Sequence, residues 1–220
     1  MKFKCLIFDL DGTLIDTLRD IAQAMNRALD LRGYPPVPPE EYAAMIGWGI
    51  RRLAFLALPA AARDEKTAQV LAADAARFYA EKPLVYSRPY PGIPAVMAEL
   101  KRRNIKTAVL TNKPDPVAAM VVNGLFPSGS FDLIRGEKAG FPRKPDPAST
   151  WEILTELDRT PRETIFVGDS EVDMETAHAA DCHALGVSWG YRERAALEAG
   201  GADRIIDTPE GLFPLMDIHM

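Results

Sequence analysis

The apolar run Cys5-Leu6-Ile7-Phe8, followed at once by Asp9-Leu10-Asp11-Gly12-Thr13, constrains the fold of this chain more than any other stretch. Four consecutive apolar residues bounded by polar ones read as a buried strand. The acids that end it stand two positions apart, so on an extended backbone they share a face. Two carboxylates side by side at a strand end repel each other and gain nothing structurally. They make sense where a divalent cation or a phosphate chemistry sits between them.

The pattern then turns helical. Leu18, Ile21, Ala22, Met25, Ala28 and Leu29 recur at helix spacing, with Asp16 or Thr17 as caps and Gly33 as the stop. Tyr34 to Pro39 reads as a stiff, extended connector. Glu40 to Ile46 predicts a short helix, Gly47-Trp48-Gly49 a break, and Ile50 to Leu58 and Asp64 to Glu81 two further helices. From Arg88 onward strands alternate with helices: Lys106–Leu110, Phe131–Ile134, Thr164–Val167, Ala184–Ser188 and Arg204–Ile206 predict strands, and the segments near Val96, Pro116–Asn123, Ala148–Leu157 and up to Ala180 predict helices. Such alternation specifies a parallel sheet. The expected fold is therefore α/β: a Rossmann-like parallel-sheet core with helices on both faces, residues 1–15 and 86–220, interrupted by an all-helical cap domain, residues 16–85.

Composition narrows the function. At 220 residues, 47% hydrophobic and 26% charged, the chain is ordinary for a globular protein. A net charge of −5 offers no basic footprint for nucleic acid. The two cysteines, Cys5 and Cys182, have no metal-ligand or disulfide spacing, which suits a reducing, cytoplasmic setting. The lead-in Met1-Lys2-Phe3-Lys4 is too short for a targeting segment, and no apolar stretch approaches the roughly 20 residues needed to span a bilayer.

In open parallel sheets, ligands bind outside the carboxyl ends of the strands. Asp9 and Asp11, Thr111 and Asn112, and Asp169 and Ser170 all fall at such ends, and Lys144 lies in a loop just before a helix. Their convergence suits phosphoryl transfer, which needs charge screening, an in-line nucleophile and a proton donor for the leaving oxygen. A carboxylate can be that nucleophile and form an aspartyl phosphate. An all-carboxylate site without His or Cys points to Mg2+, and a Lys ammonium adds stabilising charge.

These residues give the chain a resemblance to the haloacid dehalogenase-like hydrolase superfamily, in its helical-cap subclass. The resemblance spans essentially the whole chain and rests on four motifs in order: Asp9-Leu10-Asp11-Gly12-Thr13, Thr111-Asn112-Lys113, Lys144-Pro145-Asp146-Pro147, and Gly168-Asp169-Ser170 with Asp173. Gly47-Trp48-Gly49, Tyr90-Pro91-Gly92 and the Lys-Pro-Asp-Pro loop resemble the phosphoglycolate phosphatase group within it. The resemblance implies Asp9 as nucleophile and Mg2+ ligand. It implies Asp11 as general acid and then base, with its backbone carbonyl on the metal, and Asp169 as third metal anchor. Thr111, Asn112 and Lys144 would bind phosphoryl oxygens, and Asp173 would orient the metal site from behind, beside Ser170.

The expected activity is Mg2+-dependent hydrolysis of a small phosphate monoester, with 2-phosphoglycolate among the substrates. The alternatives are a sugar phosphomutase, a pyrophosphatase or nucleotidase on the same scaffold, and, in another class, a phospho-accepting signalling domain. Asp11 argues against a dehalogenase, because carbon–halogen displacement needs no acid there. A phosphonatase would need a cap lysine, and neither Lys66 nor Lys82 has a distinctive context. Trp48, Arg51 and Arg52 are the cap residues expected to face substrate, an arginine being able to grip a carboxylate bidentately. Lys113 reads as a surface charge, and His178 and His183 as structural or exposed.

Overall fold

The computed structural model of the chain describes residues 3–216, so Met1 and Lys2 of the lead-in lie outside the described residues. The chain divides into two compact units, Met1–Ile15 with Pro89–Met220, and Asp16–Arg88. The second unit ends at Arg88.

The first unit begins with β1 (Cys5–Phe8), whose four side chains are all buried. The crossings to and from the insert are β2 (Ile15–Asp16) and β3 (Arg88–Pro89), which pair as a two-stranded ribbon. Within the insert lie α1 (Leu18–Leu31), α2 (Ile50–Ala57) and α3 (Glu65–Glu81). The core resumes with α4 (Ile93–Arg102), β4 (Lys106–Pro114), α5 (Asp115–Leu125), β5 (Leu133–Glu137), α6 (Ala148–Glu156), β6 (Thr164–Gly168), α7 (Glu171–Ala179), β7 (His183–Val187), α8 (Arg194–Ala199), β8 (Arg204–Ile206) and α9 (Leu212–Leu215).

Six strands form one parallel sheet in the order β5-β4-β1-β6-β7-β8. The chain runs outward from β1 through β4 to β5, then restarts beside β1 with β6 and runs outward the other way. The order therefore reverses between β1 and β6, and the carboxyl ends of those two strands flank the crevice where parallel sheets bind ligands. One face of the sheet presents Cys5, Ile7, Ala108, Leu110 and Phe166 to Ile153 and Leu154 of α6 and Met174 and Ala177 of α7. On the other face Phe8 meets Phe131 edge-on at 6.5 Å, and Phe131 meets Phe126 at 5.3 Å. Burial on both faces is why β1 has no polar residue until it ends, and each such side chain contributes about 1.5–3 kcal/mol.

In the second unit α3 packs on α1 and α2 through Met25, Ala28 and Leu29, Leu53 and Ala57, and Leu71, Ala72, Ala75 and Phe78. Asn26 ties down the proline-rich connector: its amide donates to Val37 O at 2.8 Å while its carbonyl accepts from Val37 N–H at 2.9 Å and from the Tyr42 hydroxyl at 2.8 Å.

Three expectations change. The helix expected over Glu40–Ile46 is a 3-10 helix, Pro39–Ala44, begun where the prolines fix φ. Thr111-Asn112-Lys113 stands at the end of its strand as expected, but β4 is longer than Lys106–Leu110 and runs to Pro114, with a register irregularity between Leu110 and Pro114. Helices α8 and α9 had no counterpart in the sequence reading.

Candidate active site

Asp9 is the first residue beyond β1. Its N–H donates to Val167 O of β6 at 2.9 Å, so the neighbouring strand fixes its backbone. Asp169 is the first residue beyond β6 and is 2% exposed. One of its oxygens accepts from the Thr13 hydroxyl at 3.0 Å, and the other from the Tyr191 N–H at 2.8 Å. Two glycines make room for this carboxylate. Gly12 has φ +95° and a side chain there would come within 2.3 Å of Asp169 Oδ2; one on Gly190 would come within 2.2 Å of Asp169 Cβ. Only glycine permits both that backbone conformation and that approach.

Asp173 lies on the first turn of α7, where its Oδ2 accepts from the Ser170 N–H at 3.1 Å and the Ser170 hydroxyl at 2.6 Å. Its other oxygen meets Lys144 Nζ at 2.6 Å, and the same ammonium meets Asp9 Oδ1 at 2.6 Å. Asp9, Asp169 and Asp173 thus form a buried trio whose nearest oxygens all lie within 4.8 Å of one another.

Three carboxylates face one ammonium. Burial pushes the Asp9 carboxyl up to about 7, with Asp173 pushing the same way and Lys144 opposing. Burial, then Asp173 and Asp9, raise Asp169 well above the ordinary carboxylate range. For Lys144, burial works against the charge, but Asp173 and Asp9 outweigh it and hold the ammonium above its ordinary value. The residual negative charge and hard oxygen donors, without His or Cys, fit a divalent cation such as Mg2+.

The residues singled out from sequence divide here. Asp9, Lys144 and Asp169 come together. Asp173, expected behind the metal site, stands within the carboxylate trio. Asp11, whose expected metal contact was its backbone carbonyl, has its carboxylate outside the trio, held by Lys113 Nζ at 2.8 and 2.9 Å. Lys113 is therefore not the surface charge expected: its side chain is 6% exposed. Asn112 braces the loop that carries Lys144, donating to Lys144 O at 3.1 Å and accepting from Lys144 N–H at 3.0 Å. Thr111 is buried, and its hydroxyl accepts from Lys113 N–H at 3.2 Å.

Trp48, Arg51 and Arg52 belong to the helical unit. Trp48 is half-buried, Arg51 lies 3.6 Å from Glu65, and the Arg52 guanidinium sits 5.5 Å from the Phe55 ring centre. His178 meets Gly201 O at 2.7 Å and His183 meets Asp203 at 3.1 Å, both structural contacts.

Sequence reasoning missed the segment after β7. Besides the Gly190 and Tyr191 contacts with Asp169, the Trp189 indole N–H donates to Thr13 O at 3.0 Å, which clamps the turn after the acid pair. The available signal was position: Trp-Gly-Tyr lies just beyond the carboxyl end of a core strand.

The family model described as haloacid dehalogenase-like hydrolase matches residues 6–187. The phosphoglycolate phosphatase of Aquifex aeolicus is 34% identical over 217 residues, covering 99% of this chain and 98% of that protein. That of Pectobacterium atrosepticum is 32% identical, over 96% of this chain and 91% of that one. A solved structure from Lactobacillus delbrueckii subsp. bulgaricus, 31% identical, superposes with a TM-score of 0.92 over 98% of this chain and 99% of its own. A match over most of the sequence, on a sheet whose reversal point gathers Asp9, Lys144, Asp169 and Asp173, places this chain in the haloacid dehalogenase-like hydrolase family.

Proposed function

We propose that the protein is a Mg2+-dependent phosphatase that hydrolyses a small phosphate monoester, 2-phosphoglycolate above all, through a phosphorylated Asp9. The buried trio of Asp9, Asp169 and Asp173, with the Lys144 ammonium against Asp9 and Asp173, is the observation that carries this reading. The names of the relatives from Aquifex aeolicus and Pectobacterium atrosepticum support the substrate.

Asp9 and Asp169, with Asp173 beside them, would hold the Mg2+, which would supply positive charge to offset the negative charge of the phosphoryl oxygens. In the first step an Asp9 carboxylate oxygen bonds to phosphorus as the ester P–O bond breaks, and the Asp11 carboxyl gives its proton to the departing oxygen. In the second, the Asp11 carboxylate takes a proton from water as that water attacks phosphorus. The acyl phosphate bond breaks, inorganic phosphate leaves, and Asp9 and protonated Asp11 are restored. Lys144 offers charge to the phosphoryl oxygens throughout. Asn112 would act by fixing the Lys144 loop as well as by the phosphate contact its motif implies, and Thr111 would offer its hydroxyl. Ser170 acts by holding Asp173. Trp48, Arg51 and Arg52 would serve substrate selection. Cys5 and Cys182 are free, buried thiols, as a reducing cytoplasmic setting would allow, and no described helix is long and apolar enough to cross a membrane.

Release of inorganic phosphate from 2-phosphoglycolate by the purified protein tests this directly. Mg2+ should be required, EDTA should abolish turnover, and Asp9→Asn should reduce it to background. Full turnover by Asp9→Asn would remove Asp9 as nucleophile.

A further inference from the structure

We infer that Lys113 is a positioning residue for Asp11, keeping that carboxyl group apart from the trio and aimed at the leaving oxygen, to which its protonated form gives the proton. The inference rests on the phosphatase reading above.

The two acids that follow β1 have separate cations. Lys144 takes Asp9, and Lys113 takes Asp11 by both oxygens, at 2.8 and 2.9 Å. Both members of the second pair are largely buried, with side chains 6% and 11% exposed. An ammonium on a flexible stem rarely stays out of water unless something holds it. Here β4 does so. Phe8 pairs with Val109, so Asp11 and Lys113, three and four residues further on, reach the same edge from adjacent strands. The Lys113 backbone is itself held, its N–H donating to Thr111 Oγ1 at 3.2 Å, next to Asn112 with its two bonds to the Lys144 backbone. Lys113 is thus anchored on the strand that braces the Lys144 loop, whereas Asp11 lies on the turn after β1.

A carboxylate two residues from Asp9 has an obvious competing fate: it can turn towards the cation that the trio is suited to hold. There it would serve as a further ligand and be lost to proton transfer. A two-point contact with an ammonium on the next strand opposes that turn. The sub-ångström placement that catalysis needs is worth about 100-fold in rate.

The experiment compares leaving groups. An alkyl phosphate that the wild type turns over, 2-phosphoglycolate under the reading above, expels a poor alkoxide and needs the proton. With 4-nitrophenyl phosphate the phenolate leaves with far less help. Lys113→Met should lower the ratio of kcat/KM on the alkyl ester to kcat/KM on the aryl ester, which reports the leaving-group step and not the later attack of water, by about 10- to 100-fold. Taken within one preparation, the ratio does not depend on the folded fraction. Lys113→Arg, which keeps a cation with two donors for two oxygens, should bring it back towards wild type. In an Asp11→Asn background, Lys113→Met should leave the ratio where Asp11→Asn alone puts it, because the two residues act as a unit. Equal losses on both substrates, no loss, or additive losses in the double variant would overturn the assignment. Failure of the wild type to hydrolyse either ester would instead overturn the phosphatase reading.

Discussion

Thr13 has no exposed surface and spends its hydroxyl on Asp169, so it acts through the acid it orients. Hydrogen bonds to metal-holding carboxylates fix their geometry, and their loss typically costs 10- to 100-fold in metal affinity. Thr13→Val keeps the shape and removes the bond. It should raise the Mg2+ concentration for half-maximal activity by about 10- to 100-fold, read from a Mg2+ titration. An unchanged titration would show that Asp169 is held well enough by Tyr191. Thr13 was visible in the sequence because it closes the Asp9-Leu10-Asp11-Gly12-Thr13 motif, although the acid it serves, Asp169, lies 156 residues away. Lys113 was not, because a lysine in isolation is usually solvated. Its burial depends on the Phe8↔Val109 pairing, which brings together residues 102 apart in sequence. Trp189 and Tyr191 were missed for the same reason: their partners, Thr13 and Asp169, lie 176 and 22 residues away.

Among elements, those with several periods were legible and those without were not. Helix α3 starts after Asp64, whose carboxylate accepts from Thr67 N–H at 2.9 Å, as its composition suggests. Helix α1 starts after Thr17, yet that threonine makes no capping bond and Asp16 accepts from Leu18 N–H at 3.2 Å instead. Strands β2 and β3 have two residues each and α9 has four, too few for any periodicity to emerge. What fixes the end of the insert is likewise a local device invisible to pattern. Asp20, 3% exposed in α1, accepts from the Tyr86 N–H at 3.0 Å, the Ser87 N–H at 2.8 Å and the Ser87 hydroxyl at 2.6 Å. Asp20→Ala would leave these donors without their acceptor and should destabilise the protein by about 2–3 kcal/mol, seen as a lower urea midpoint at unchanged m. A midpoint within error of wild type would mean that water replaces the carboxylate.

Across the described residues, the carboxyl groups with shifted titration fall into two sets whose effects on stability have opposite sign. Glu99 is held down to about 2 by Arg102 and Arg103, and Asp207 is lowered by Ser188 and Arg194. Groups of this kind stabilise the fold at neutral pH and stop doing so as acid protonates them. Asp9 and Asp169 act the other way. Their raised folded values mean that the native core prefers them protonated, so their contribution is full below the ordinary value of 3.8 and is lost as pH rises through about 7 for Asp9. Without metal, the core should therefore carry a growing electrostatic burden between about pH 4 and about pH 7. Mg2+ would reverse that burden, since it binds the deprotonated carboxylates and must displace their protons at lower pH. The thermal shift caused by saturating Mg2+, measured against EDTA-treated protein, should be small near pH 5 and increase towards pH 8, with the steepest change at about pH 7. Asp9→Asn removes one of the titrating groups and should flatten the curve. A Mg2+ shift that is the same at pH 5 and pH 8 in the wild type would mean that the trio is already ionised before the metal arrives, with Lys144 enough to hold its charge.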